Sequence, residues 1–285
     1  MAGKSIGKFQ VIRTLGTGAH STILHIRRQA DSKHYALKVV PIGGPKDAKF
    51  LEQAQHEFEV ARLLDHPNLV KIYDLETQRD WLFRTRKVLL LIEYVNGRTL
   101  DTFQAIPMPQ LVQVFEQVAR ALVHMHRHNV CHADLKPNNI MLSRTAEVKI
   151  IDFGLAWIKG QDKGRIQGTP EYIAPETVSR HLVSERSDIY NFGATMYRLV
   201  TSRLPPSPVP QGGLALDAKT WEKLLQPVRE ANPEAPPALG ELIHRCLSFD
   251  ANKRPERMSV VQGALDHLAE HLVRGPEDRL EALQW

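Results

Sequence analysis

Two neighbouring segments constrain this chain more than anything else in it: CHADLKPNNI at 131–140 and EVKIIDFG at 147–154. NIML (139–142) and EVKII (147–151) are apolar and β-prone, and they read as the two arms of a hairpin. Such a hairpin brings Asn139 towards Asp152, two oxygen donors suited to Mg²⁺ with phosphate and water completing the shell. Asp134 is then free to accept a proton from an attacking hydroxyl, and Lys136 to neutralise a moving phosphoryl group. An isolated DxKxxN motif says little, because Asx-rich turns are common. The paired spacing is what points to chemistry.

A second cluster lies upstream. GTGAHS (16–21) is a glycine-rich turn that on its own would pass for a plain hairpin connection. Dinucleotide and Walker-type loops run from strand into helix, so that a helix N-terminus meets the phosphate. Here TILHIRR (22–28) continues as a strand, which fits a flap of backbone amides lying over phosphates. In HYALKVV (34–40) the alternation places Tyr35, Leu37 and Val39 on one face, and Ala36, Lys38 and Val40 on the other. A lysine on an apolar face needs a carboxylate partner. Glu57 supplies one, because it sits beside the stripe Ala54, Phe58, Ala61 and Leu64 of a helix expected over residues 48–65, whereas Glu52 and Glu59 face solvent.

Around these clusters the chain changes character. Strands are expected at 9–15, 22–28 and 34–40, then near 69–73 and 88–94. From residue 99 onward helical periodicity takes over, at 111–128, 189–202, 238–248 and 258–273. The expectation is an α+β fold in two lobes: an N-terminal lobe over 1–95, a hinge at 96–98, a C-terminal lobe over 99–273 and a tail over 274–285. The formal net charge of +5, spread along 285 residues, argues against a nucleic-acid footprint. Two cysteines, Cys131 and Cys246, make neither a CxxC pair nor a disulfide framework, which points to a reduced, cytoplasmic compartment. The longest strongly apolar run, 88–92, is far short of a membrane span.

Taken in order, GTGAHS, YALK, Glu57, HADLKPNN, DFG, GTPEYIAPE (168–176), SDIYNFG (187–193) and KRP (253–255) resemble the eukaryotic-type (Hanks-type) serine/threonine protein kinase domain over nearly the whole chain. The resemblance implies ATP and Mg²⁺ as cofactors and a protein Ser/Thr hydroxyl as acceptor. It implies that Gly16, Thr17, Gly18, Ala19, His20 and Ser21 cover the phosphates, with Ser21 standing where a third glycine is usual. Lys38 orients the α/β-phosphates and Glu57 pairs with it; Asp134 is the catalytic base and Lys136 assists the γ-phosphate. Asn139 and Asp152 hold Mg²⁺. Ile23, Ala36 and Met141 sandwich the adenine, backbone groups of Glu93 and Val95 bind its edge, and Ile92 is the gatekeeper. Asp188 steadies the catalytic loop, Glu176 pairs with Arg254, and Thr169 precedes the substrate platform. Thr99 and Asp101 are both candidates for the ribose contact. Asn138 stands where many basic-directed relatives carry Glu, which argues against an arginine-rich substrate.

One departure stands out. Ala133 lies between His132 and Asp134, where relatives commonly carry an arginine that receives an activation-loop phosphate. Between Asp152 and Glu176 the only hydroxyl side chains are Thr169 and Tyr172. Receptor and phosphate are missing together, so activity without activation-loop phosphorylation is expected. The rival reading is a pseudokinase scaffold, which the intact Lys38, Asp134, Asn139 and Asp152 oppose; the full GTPEYIAPE block opposes a small-molecule kinase. HMHRH (124–128) is expected to be a solvated helix end, with a metal site as the alternative, the basic stretch 79–87 a solvated hairpin loop, with a docking surface as the alternative, and LPPSPVPQGG (204–213) a surface loop.

Overall fold

A computed structural model describes residues 5–18, 20–161, 168–209 and 216–283. The chain divides into two compact units. The first comprises 1–65, 69–96 and 152–154; the second comprises 66–68, 97–151 and 155–285.

The smaller unit is an antiparallel sheet with one helix. Its strands are β1 (Ser5–Ile6), β2 (Phe9–Thr17), β3 (Thr22–Arg28), β4 (His34–Pro41), β5 (Ile72–Arg79) and β6 (Thr85–Glu93), in the order β1-β2-β3-β4-β6-β5. The alternation of β4 is realised. Leu37 is buried with Ile26 and Leu89, and Tyr35, Val39 and Leu91 pack against them, so the opposite face carries Ala36, Lys38 and Val40. Helix α1 (Ala48–Arg62) buries Ala54, Glu57 and Val60. This shifts the stripe read from the sequence: Phe58 and Ala61 are only half-buried, and Leu64 lies beyond the helix end.

The larger unit is mainly helical. It begins with β7 (Gly97–Thr99) and α2 (Met108–Arg127), followed by β8 (Val130–Cys131), β9 (Ile140–Ser143), β10 (Val148–Ile150) and β11 (Trp157–Ile158). The strands form two small sheets, β10-β9-β7 and β11-β8. The hairpin expected from the sequence is β9–β10, with Leu142 opposite Val148 and Ile140 opposite Ile150. Gly97 is required where β7 crosses β9, since a Cβ there would sit 2.1 Å from the Leu142 carbonyl oxygen. Then follow α3 (Pro175–Arg180), α4 (Glu185–Thr201), α5 (Ala218–Leu224), α6 (Val228–Ala231), α7 (Pro237–Cys246) and α8 (Met258–Leu272). Helices α2 and α4 form the core, burying Phe115, Leu122, Met125, Tyr190, Phe192 and Tyr197 almost completely. Gly193 lets α4 approach α7 closely, because a Cβ there would lie 2.8 Å from that of Cys246.

Residues 274–283, expected as a tail, are docked onto α2. Gln110 and Gln113 donate to the carbonyls of Glu277, Asp278 and Arg279, Gln113 Oε1 accepts from the Leu280 amide, and Leu280 is buried. Among the described residues no helix is long and apolar enough to cross a membrane. Both cysteines are buried, and neither forms a disulfide.

Candidate active site

In the smaller unit, β2 and β3 deliver the glycine turn. Gly16 faces Ile23, Thr17 faces Thr22, and the Gly18 amide donates to the Ser21 carbonyl at 2.8 Å. Ala19 lies outside the described residues. The His20 ring stacks on Phe50 of α1, with centroids 3.9 Å apart, a contact the sequence reading did not foresee. Ala36 on β4 is opposite Ile92 on β6, Glu93 ends that strand, and Val95 follows it. Lys38 Nζ lies 2.7 Å from Glu57 Oε2, which is the pair expected from the alternation of β4 and the misplaced glutamate of α1. It also lies 3.8 Å from Asp152 Oδ1. Burial works against the ammonium, but the charges of Glu57 and Asp152 outweigh it and raise the Lys38 pKa above its ordinary value. Asp152 has a φ of 69°, a left-handed conformation uncommon outside glycine and asparagine. Its Oδ1 accepts from the Gly154 amide at 3.2 Å.

In the larger unit, the loop after β8 holds Asp134, which is 7% exposed. Its Oδ1 accepts from the Thr169 amide at 2.9 Å and from the Thr169 hydroxyl at 2.8 Å. Lys136 Nζ donates to Asp134 Oδ2 at 2.8 Å and to Thr169 Oγ1 at 2.6 Å. Asn139 Nδ2 donates to the Asp134 carbonyl at 2.8 Å, which leaves the amide oxygen of Asn139 directed elsewhere as an acceptor. Met141 follows on β9, half-buried. Asn138 donates to Asp101 Oδ2 at 2.8 Å, so one of the two ribose candidates has a partner within its own unit.

Asp188 supports this loop. It is fully buried near the start of α4 and accepts from the amides of His132 and Ala133, both at 2.8 Å. Burial pushes its carboxyl up, but the hydrogen bond and charge of His126, together with the Ala133 amide, bring it below the ordinary range. His126 corrects the expectation of a solvated helix end. Its side chain is 6% exposed, with Nε2 2.8 Å from Asp188 and Nδ1 3.2 Å from Glu185. Burial opposes its charge, yet the two carboxylates raise its pKa to about 9. The signal was present in the sequence: His126 continues the line Leu111, Phe115, Ala119, Leu122 at helical spacing. Glu176 and Arg254 form a bidentate pair, with both contacts at 2.8 Å.

Ala133 is buried with Cys131 and Val183, and Trp157 packs against that cluster. Its φ is 63°, so the residue between His132 and Asp134 is held in a left-handed turn by the Asp188 carboxylate. Trp157 and Ile158 pair with Cys131 and Val130, which anchors the segment after Asp152 to the strand preceding the Asp134 loop. Part of that segment, 162–167, lies outside the described residues.

Known proteins share this arrangement of sequence. The family model for the protein kinase domain matches residues 9–267. The serine/threonine-protein kinase pkn2 of Myxococcus xanthus is 30% identical over 275 residues, covering 91% of this chain and 32% of that protein. The serine/threonine-protein kinase PrkC of Bacillus subtilis is 27% identical over 265 residues, covering 90% and 40% respectively. The serine/threonine-protein kinase PknA of Mycobacterium tuberculosis is 30% identical over 248 residues, covering 83% and 56%. The chain thus spans less than two thirds of each of these relatives. With the α+β architecture and the ordered motifs already described, the match across residues 9–267 establishes that the chain belongs to the protein kinase domain family.

Proposed function

We propose that the chain transfers the γ-phosphoryl group of ATP to Ser or Thr hydroxyls of protein substrates. The observation that carries this reading is the Asp134 carboxylate, buried yet held in place by Thr169 and Lys136 at 2.8–2.9 Å. In the proposed step the acceptor hydroxyl gives its proton to Asp134 as its oxygen bonds to the γ-phosphorus. The bond from that phosphorus to the β–γ bridging oxygen breaks, and ADP leaves. Lys136 offsets charge on the transferring group; Lys38, held by Glu57, orients the α/β-phosphates. Asn139 and Asp152 are the proposed Mg²⁺ ligands, a hard-oxygen pair of the right chemistry, and the ion would screen phosphate charge. The glycine turn, Ile23, Ala36, Ile92, Glu93, Val95 and Met141 are proposed to bind the nucleotide. The pairing of Lys136 with Thr169, and the relatives' own description as serine/threonine kinases, favour hydroxyls of Ser and Thr.

The same proposal includes activity without activation-loop phosphorylation. An arginine–phosphate contact is unnecessary where an apolar cluster of Cys131, Ala133, Val183 and Trp157 and the β8–β11 pairing already anchor the start of the segment. A cytoplasmic location is proposed from the two reduced, buried cysteines.

Intact-mass spectrometry with ATP and Mg²⁺, with and without a panel of generic Ser/Thr protein substrates, tests the reading against Asp134→Asn. Phosphate should appear on protein with the parent only, at a rate about 10²–10⁴-fold above the variant. Equal, background-level transfer by both would reject it. Activity that depends on a phosphate between residues 152 and 176 would reject the phosphorylation-independent part.

A further inference from the structure

The turn joining β5 to β6 is built differently from the other surfaces of its unit. Trp81 is 85% exposed and Phe83 81%, with Leu82 between them at 44%; the next most exposed large apolar side chain among the described residues is Leu224 at 58%. Two aromatic rings so far out of the protein cost solvation that an ordinary turn avoids.

The turn is nevertheless rigid. Asp80 accepts from the amides of Leu82 and Arg84 and from Arg86 Nε, at 2.8–3.0 Å. The Asp80 amide donates to the Arg84 carbonyl, and the Phe83 amide to the Asp80 carbonyl. Phe83 closes the loop with φ 59°, the left-handed position where this kind of hairpin prefers glycine. A bulky ring there is a conformational expense, tolerated where the ring is needed outside. Behind the apolar tip Arg79 on β5, Arg84 in the turn, and Arg86 and Lys87 on β6 are exposed; Asp80, the carboxylate within 79–87, pairs with Arg86, and Asp74 and Glu76 lie further along β5.

The tip is therefore convex and apolar, with Trp and Phe at its apex and cations set back along the strands. We propose that the β5–β6 tip is a peripheral docking point for an anionic phospholipid bilayer. Trp81, Leu82 and Phe83 enter the interfacial layer, and the basic side chains meet lipid phosphates at the level of the headgroups. The charge complementarity is specific: a neutral bilayer satisfies the rings but not the surplus of positive charge left after Asp80 pairs with Arg86, and a polyanion such as nucleic acid satisfies the cations but leaves Leu82 exposed. This surface is independent of phosphoryl transfer, since none of its residues belongs to the proposed active site.

Co-sedimentation of the full chain with phosphatidylcholine vesicles, with and without phosphatidylglycerol, tests the proposal. Binding is expected to the anionic vesicles, weakening as salt rises, with a blue shift in Trp emission that Trp81→Phe removes. Trp81→Ala should lower partitioning about tenfold or more. Phe83→Gly should lower it similarly while the thermal midpoint stays level or rises, because glycine relaxes the strained position. That combination separates lost contact from lost fold. Asp134→Asn should bind vesicles like the parent, so failure of the catalytic reading leaves this one standing. The proposal is overturned if the parent does not sediment with anionic vesicles, or if Phe83→Gly and Trp81→Ala sediment as well as the parent. It is likewise overturned if the parent self-associates without lipid and Phe83→Gly abolishes that association, which would assign the tip to a second copy of the chain.

Discussion

The two units hold the charges of the candidate site by different means. In the smaller unit, Lys38 is fixed chiefly by a side-chain ion pair, Glu57 at 2.7 Å, with Asp152 a more distant 3.8 Å. In the larger unit, the loop bearing Asp134 is held by its backbone: Asp188 takes the amides of His132 and Ala133, and His126 in turn holds Asp188. A side-chain pair can be replaced by matched apolar residues with little loss of fold. A buried carboxylate serving main-chain amides cannot, because the amides remain whatever replaces it. The smaller unit thus has a support that is separable from folding, and the larger unit one that is not.

The largest effect should follow from Asp188→Leu, which strands two buried amides and the His126 imidazolium. A loss of about 5 kcal/mol is expected in urea unfolding, and adding His126→Leu should recover only a minor part. If the double variant returned to parental stability, the contrast would collapse. Lys38→Met leaves the Glu57 carboxylate, 3% exposed, without its partner; about 3 kcal/mol should be lost. Here the double variant Lys38→Met/Glu57→Leu should regain most of the stability while phosphoryl transfer stays absent, as a phosphotransfer assay beside the unfolding curve would show.

His126 sharpens the same comparison through pH. Its pKa is raised from 6.5 to about 9 in the fold. Its contribution is therefore present in full below about 6.5 and is lost as pH climbs through about 9. Facing it are Asp188 and Glu185, both held below their usual range and charged throughout that window. Stability measured between pH 6.5 and 9 should fall by ~3 kcal/mol in the parent and much less in His126→Gln; equal slopes would show the ring neutral in the fold. The smallest effect is expected at Ala133, where φ is 63°. Ala133→Gly should stabilise by about 0.5 kcal/mol, the left-handed penalty of alanine outweighing the entropy of glycine, and a loss in calorimetry would mean the methyl group's packing with Cys131 and Val183 matters more.

Periodicity reached some of these features and missed others. The Lys38–Glu57 pair was legible because both residues break an apolar pattern, one at strand spacing and one at helical spacing. The β9–β10 hairpin was legible from its two short, apolar, β-prone arms. The role of His126 was not read, although its helical register carried the signal, because its partners lie in α4, far along the chain. Residues 274–283 read as a tail because the groups that hold them are mostly main-chain carbonyls, which a sequence does not distinguish. The exposure of Trp81 and Phe83 is not legible in the sequence, since apolar residues in a short turn give no sign of whether they fold inward.

What the sequence determined by itself is local: element type, the ordered motifs and the chemical groups at Lys38, Glu57, Asp134, Lys136, Asn139 and Asp152. These follow from spacing along a chain whose backbone has only a few regular conformations. What the tertiary structure decided is which polar groups meet. Asp188 became a backbone anchor, Thr169 closed over Asp134, and Ala133 became part of an apolar plug rather than a charge receptor. The physical reason is that the strength of a polar contact depends on burial and on the partner's exact position, and both are set by elements distant in sequence.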